Sequence, residues 1–137
     1  MPLADDHSIK EILGLDPVAI VGCSRNPGKA AHDVPRYLAE NGFDIIPINP
    51  NADEILGRRA VPSISAVDRD VRLVTVFRPS EEVPAIVDTV LDRDDVKAIW
   101  LQLGITHNRA LERAERSGLV TVQNRCMSVE HRRLFNQ

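Results

Sequence analysis

Val18-Ala19-Ile20-Val21-Gly22-Cys23-Ser24-Arg25-Asn26-Pro27-Gly28-Lys29 decides how this chain folds. Four small apolar or β-branched residues read as a buried strand. A glycine closes it, and a loop of small residues carrying Arg25 and Lys29 leads into a helical segment. Strand, glycine-bearing turn and helix N-terminus together make an anion site. Backbone N–H groups and the positive end of the helix dipole converge there. Arg25 and Lys29 add positive charge, so the expected occupant carries phosphate. Cys23 sits in the same loop, beside two cations and a helix start, a field that favours the thiolate. Cys23 and Cys126 nevertheless read more readily as inert small residues than as reactive thiols; if Cys23 does react, it is expected to be alkylated faster in the free protein than under a bound ligand.

Outward from this stretch, apolar runs alternate with amphipathic ones. Asp6–Leu13 reads as a leading helix with Ile9, Ile12 and Leu13 on one face. His32–Asn41 reads as a helix with Pro35 in its first turn, where the missing N–H is harmless, and Gly42 as its stop. Asp44–Ile48 reads as a strand whose Pro47 favours an edge. A turn-rich stretch follows, with a short strand near Val61. Val71–Val76, Ala98–Leu101 and Leu119–Val122 read as further strands. Helices are expected from Ser80 through Leu91, over Asn108–Ser117 and over Ser128–Leu134. This alternation implies right-handed βαβ units around a mainly parallel sheet flanked by helices, in one α/β domain over 1–137. Ligands of such sheets bind past the carboxyl ends of the strands. Five segments lie there: Gly22–Lys29, Asn49-Pro50, Phe77-Arg78, Gln102-Leu103-Gly104 and Gln123–Cys126.

Composition removes several classes of function. The formal charge is −3, and the aromatics are Tyr37, Phe43, Phe77, Trp100 and Phe135. Neither a cationic stripe nor a stacking platform for nucleic acid stands out. No apolar run reaches the roughly 18 residues of a membrane span. The acidic start from Met1 to His7 lacks the apolar core of a secretory signal, so a cytosolic setting is expected. Cys23 and Cys126 are far apart and form no CxxC pair, and the histidines show no HxH or HExxH spacing. Trp100 reads as core, His107 as a helix start, and Glu130-His131-Arg132-Arg133 as a solvated helix end with His131 at the surface. Phe77 is open between core and ligand wall, and Arg78 between ligand contact and surface salt bridge.

The identity of the phosphorylated ligand turns on details of the loop. A dinucleotide fingerprint needs a second glycine where Ser24 stands and an acid at the end of the second strand, where the chain has Asn49. A P-loop aligned on Gly28-Lys29 needs a glycine at Cys23 and a hydroxyl at Ala30. VGCSRNPGKAAHDVPRYL, IPINPNADEILGRRAVPSI, VFRPSEEVPAIV, WLQLGI and NRCMSVEHRRL, in that order, resemble the small free-standing CoA-binding proteins. That fold is also similar to the CoA-binding domain of the succinyl-CoA synthetase α subunit. The resemblance covers nearly the whole chain. It implies a Rossmann-like domain that binds coenzyme A or an acyl-CoA, with no catalytic residue and no metal.

By position, the resemblance puts Gly22, Ser24, Arg25 and Lys29, in a loop that includes Gly28, at the diphosphate or 3′-phosphate. Asn49 and Pro50 would border the adenosine, and Phe77 and Arg78 the nucleotide or pantetheine arm. Gln102 and Gly104 would form another wall. Cys23 occupies a slot where such proteins have another small residue. The chain would then act as a carrier, a sensor or a detached subunit, partnered by a second copy of itself or by an acyl-CoA enzyme. No nucleophile–base pair, metal set or ATP-grasp region supports independent ligase activity. Two rival readings stay open: a nicotinamide-dependent or thiol-redox enzyme using the same pocket, and an interaction module whose pocket is vestigial.

Overall fold

β1, Val18–Val21, is buried at all four positions because it lies inside the sheet and is covered on both faces. This explains its uninterrupted apolar run. The computed structural model describes residues 4–135; Met1 to Leu3, where the acidic N-terminal stretch begins, lie outside the described residues. The other strands of the sheet are β2 (Ile45–Ile48), β5 (Leu73–Val76), β6 (Ala98–Leu101) and β7 (Val120–Val122). Their order is β2-β1-β5-β6-β7, and every pair is parallel. Val18 stands opposite both Ile45 and Leu73, and Val21 opposite Ile48 and Val76.

Strand alternation divides the core into two layers. Ala19 and Val21 join Val74, Val76, Ile99 and Leu101 beneath α3 (Val83–Leu91) and α4 (Asn108–Arg116). Val18 and Ile20 join Leu73 and Trp100 beneath α1 (Asp6–Ile12), α2 (Ala30–Glu40) and α5 (Met127–Phe135). Trp100 is wholly buried, and its indole N–H donates to the Arg125 carbonyl at 2.8 Å. The expected α/β architecture, a Rossmann-like parallel sheet between helical layers, is the one observed. No helix among the described residues is long and apolar enough to cross a membrane.

Pro47 lies on the edge strand, as its missing N–H requires. Its carbonyl accepts from Val61 N at 2.9 Å. The strand expected near Val61 is a single bridge to Ile48. The turn-rich stretch before it contains a small hairpin, β3 (Glu54–Ile55) with β4 (Arg58–Arg59).

Two readings of helices need correction. α2 begins at Ala30, so Pro35 lies inside the helix and not in its first turn. Pro35 has no N–H to give the carbonyl four residues back. That carbonyl belongs to Ala31, and it accepts the N–H of Ser24 at 2.9 Å instead. The proline thus leaves an acceptor that ties the loop after β1 to the helix it enters.

The α5 segment read as solvated is partly core. Glu130 is buried and held by Arg125 at 2.6 Å and Arg133 at 3.0 Å, with Arg133 reaching on to Asp6 of α1. His131 is half-buried, accepts or donates at 2.8 Å to the Tyr37 hydroxyl, and sits among the rings of Phe43 and Phe135. Burial pushes its pKa down. A helix that packs on α1 and α2 must bury one face, whatever charges that face carries.

Candidate functional site

The sheet order reverses at β1. The chain leaves β1 for α2 on one face and leaves β5 for α3 on the other, so the loops diverge and open a crevice at the carboxyl ends. A cavity of about 920 Å³ occupies it. Gly22, Cys23, Ser24 and Lys29 form one wall, with Ala31 from the start of α2. Asn49, Pro50 and Asn51 after β2 form a second. Phe77 and Arg78 after β5 form a third, and Phe77 also packs against the core.

Sequence reasoning missed the far wall. It comprises Pro62, Ser63, Ile64 and Ser65, around a 3-10 turn over Ile64–Ala66, and Glu81, Glu82, Ala85, Ile86 and Thr89 along one face of α3 and the turn before it. The signal lay in the VPSI and PSEEVPAIV stretches, which mark turn and helix but not which helix face meets the crevice.

Local chemistry holds the loop in place. Gly22 has φ +82° and donates its N–H to Ile48 O at 3.1 Å. The N–H groups of Ser24, Asn26, Gly28 and Lys29 are likewise spent within the protein, on Ala31 O, Ser24 Oγ, Asp33 Oδ1 and Asn26 O. Lys29 is the N-cap of α2 and cannot accept, so no side chain caps that helix. His32 and Asp33 donate to Lys29 O, which leaves the first-turn N–H groups of Ala30 and Ala31 beyond the reach of any helical carbonyl. The helix start, more than the loop amides, therefore offers donors to an anion.

Asn49 ties two walls together. Its side-chain amide donates to Cys23 O at 2.9 Å and its Oδ1 accepts from Asn51 N at 2.7 Å. Cys23 is wholly buried, and burial pushes its thiol pKa up to about 12. The burial agrees with the reading of Cys23 as an inert small residue and opposes an activated thiolate, because the residue packs in the core beneath α1, α2 and α5.

Four predicted site residues fall outside the lining. Arg25 and Gly28 are exposed on the outer side of the loop, Gly28 N being held by Asp33. Gln102 is buried. It donates to Thr75 Oγ1 at 2.6 Å and accepts from Met127 N at 3.0 Å, fastening α5 to the sheet. Gly104 N donates to Asn124 Oδ1 at 2.7 Å, in an exposed loop that closes on the end of β7. The ends of β6 and β7 thus bond to each other and to α5, because the crevice opens only where the strand order turns. His107 caps α4, its Nδ1 accepting from Ala110 N at 3.1 Å.

Comparison with known proteins places this geometry. Residues 16–132 match the family model described as a CoA binding domain. The uncharacterized protein YneT of Bacillus subtilis is 35% identical over 124 residues, covering 90% of this chain and 91% of that one. A solved structure of a hypothetical protein from Pyrococcus horikoshii superposes with a TM-score of 0.90 at 34% identity, covering 96% of this chain and 92% of that one. The ADP-forming acetate–CoA ligase II of Archaeoglobus fulgidus is 29% identical over 128 residues; the match takes in 83% of this chain but only 19% of the ligase. The matched region holds the whole cavity wall, and on that ground the chain belongs to the CoA binding domain family.

Proposed function

We propose that the cavity binds coenzyme A or an acyl-CoA, and that the chain works as a carrier, sensor or detached subunit without catalysis of its own. The observation that carries this reading is the meeting, in one cavity, of the α2 start with Lys29, the Asn49-Pro50 end of β2 and the Phe77-Arg78 end of β5. In this reading the first-turn N–H groups of α2 and Lys29 hold a phosphate. Asn49 and Pro50 border the adenosine, and Phe77 and Arg78 flank the nucleotide or pantetheine arm. An uncharged residue at the end of β2 suits a ligand with more negative charge than a nicotinamide dinucleotide. The acetate–CoA ligases that carry a similar segment support the ligand class; the chain spans about one fifth of their length, so their ligation chemistry is not assigned to it. A cytosolic setting and an acyl-CoA enzyme or second copy as partner complete the proposal.

Calorimetric titration with CoA, dephospho-CoA, ADP and NAD tests it. CoA is expected to bind tightest and NAD far more weakly. Equal affinity for CoA and NAD, or no heat from CoA, would overturn the reading.

A further inference from the structure

A site for a polyanion should be cationic, and this one is balanced. Among the described residues of the lining, the cationic side chains are Lys29 and Arg78 and the anionic ones are Glu81 and Glu82. Arg78 is also already engaged. Its Nε donates to Glu82 Oε1 at 3.1 Å and its Nη2 to Oε2 at 2.8 Å. This two-pronged arrangement is the one a guanidinium uses to hold a phosphate, so the carboxylate takes the donors a phosphate would need.

The stem of Arg78 and its head meet different partners. It lies across Gly22, where a Cβ would stand 2.8 Å from Arg78 Cδ and 3.3 Å from Cγ. The stem is therefore seated against the loop after β1 while the guanidinium donors face the turn that opens α3. Both partners are about half exposed, at 47% and 45%. In such surroundings water screens the pair, and the carboxylate is readily exchanged for another anion.

We propose that Glu82 is an internal competitor for Arg78: a ligand phosphate gains the guanidinium only by displacing this carboxylate, so Glu82 sets the affinity of the cavity and restricts it to ligands bearing a multiply charged phosphate group. A phosphate dianion or a diphosphate offers Arg78 a better partner than a carboxylate does. A ligand with a single weak anionic group does not, and leaves the pair closed. The proposal rests on the coenzyme reading for the identity of the ligand, but the exchange at Arg78 requires only a phosphate.

The test is calorimetric titration of the full chain with CoA and, separately, with inorganic pyrophosphate. The variants are Glu82→Gln, Glu81→Gln, Arg78→Ala and the Arg78→Ala/Glu82→Gln double variant, each checked for an unchanged melting temperature. Glu82→Gln is expected to tighten binding of both probes by about two- to tenfold, the scale of freeing one charged donor pair. In the Arg78→Ala background it is expected to keep only the small charge effect that Glu81→Gln shows. Glu81→Gln removes the same charge without releasing Arg78 and is expected to have a smaller effect that does not depend on Arg78. Unchanged or weaker binding by Glu82→Gln overturns the proposal. So does equal tightening with and without Arg78, which would make Glu82 a distant charge only. If pyrophosphate shows the expected pattern while CoA does not bind, the competitor stands and the coenzyme reading falls. If CoA binds the wild-type chain and Glu82→Gln leaves it unchanged, the competitor falls and the coenzyme reading stands. Failure of both probes to bind overturns both.

Discussion

Gly22 is the residue on which loop and cavity both depend. It holds φ +82°, and a Cβ there would lie 3.0 Å from Phe77 O as well as against the Arg78 stem. The arginine can shift, but the backbone oxygen of β5's exit cannot do so cheaply. Gly22→Ala is expected to destabilise the fold by about 1–3 kcal/mol, the cost of a strained left-handed residue, and to abolish ligand binding. Thermal denaturation beside a CoA titration checks this; an unchanged melting temperature would show that the loop relaxes. Cys23 gives the opposite lesson. A thiol in a cationic loop reads as reactive, yet it turns inward and its pKa rises to about 12. Native protein is therefore expected to label with an alkylating reagent at half-buried Cys126 well before Cys23, and CoA is expected to leave the Cys23 rate unchanged. Peptide mass spectrometry resolves the two sites; rapid Cys23 labelling that CoA suppresses would restore the thiolate reading. The direction in which one side chain leaves a loop is set by packing three elements away, which no local pattern encodes.

Among the elements, the far wall of the cavity is held from behind by a residue outside its lining. Arg93, just beyond α3, donates to Ile64 O at 3.2 Å, Val67 O at 3.0 Å and Arg69 O at 2.8 Å, and pairs with Asp95. These bonds pin the 3-10 turn that carries Ile64 and Ser65. Arg93→Ala is expected to cost about 2–4 kcal/mol through unpaired carbonyls and a stranded Asp95, and to weaken ligand binding without removing a ligand contact. Arg93 also holds the Asp95 carboxyl down to about 2, so its contribution is fully present above the ordinary 3.8 and is lost as pH falls towards 2. Acid titration of stability is therefore expected to show a steeper loss below pH 4 in the wild type than in Asp95→Asn; parallel curves would contradict the pairing. Strand and helix identities were legible because apolar runs and periodicity report burial directly. Pro35 was misplaced because helix α2 starts at Ala30, behind an uncapped Lys29 that gives no start signal. Gln102 lies outside the lining and Glu130 inside the core, and neither was foreseen because a polar residue serving a buried network looks, in sequence, like one serving a ligand or solvent.

For the whole molecule, the order β2-β1-β5-β6-β7 explains which sequence-derived site residues gather and which do not. The five strand ends were readable, but only the ends of β1, β2 and β5 flank the reversal of strand order, so Gln102 and Gly104 fall on the far side. The crevice wall from α3 and the Ser63–Ser65 turn was not readable, since it arises from two layers meeting rather than from any one segment. Coenzyme A is proposed to enter this crevice and no other surface. Amide chemical-shift mapping of the isotopically labelled chain during a CoA titration tests it most directly. Saturable shifts are expected at Gly22, Ser24, Lys29, Ala31, Asn49 and Arg78, with Gly104, Asn124 and His131 unmoved. Shifts confined to the Gly104–Asn124 loop or to α5, or no shift at any amide under saturating CoA, would contradict it.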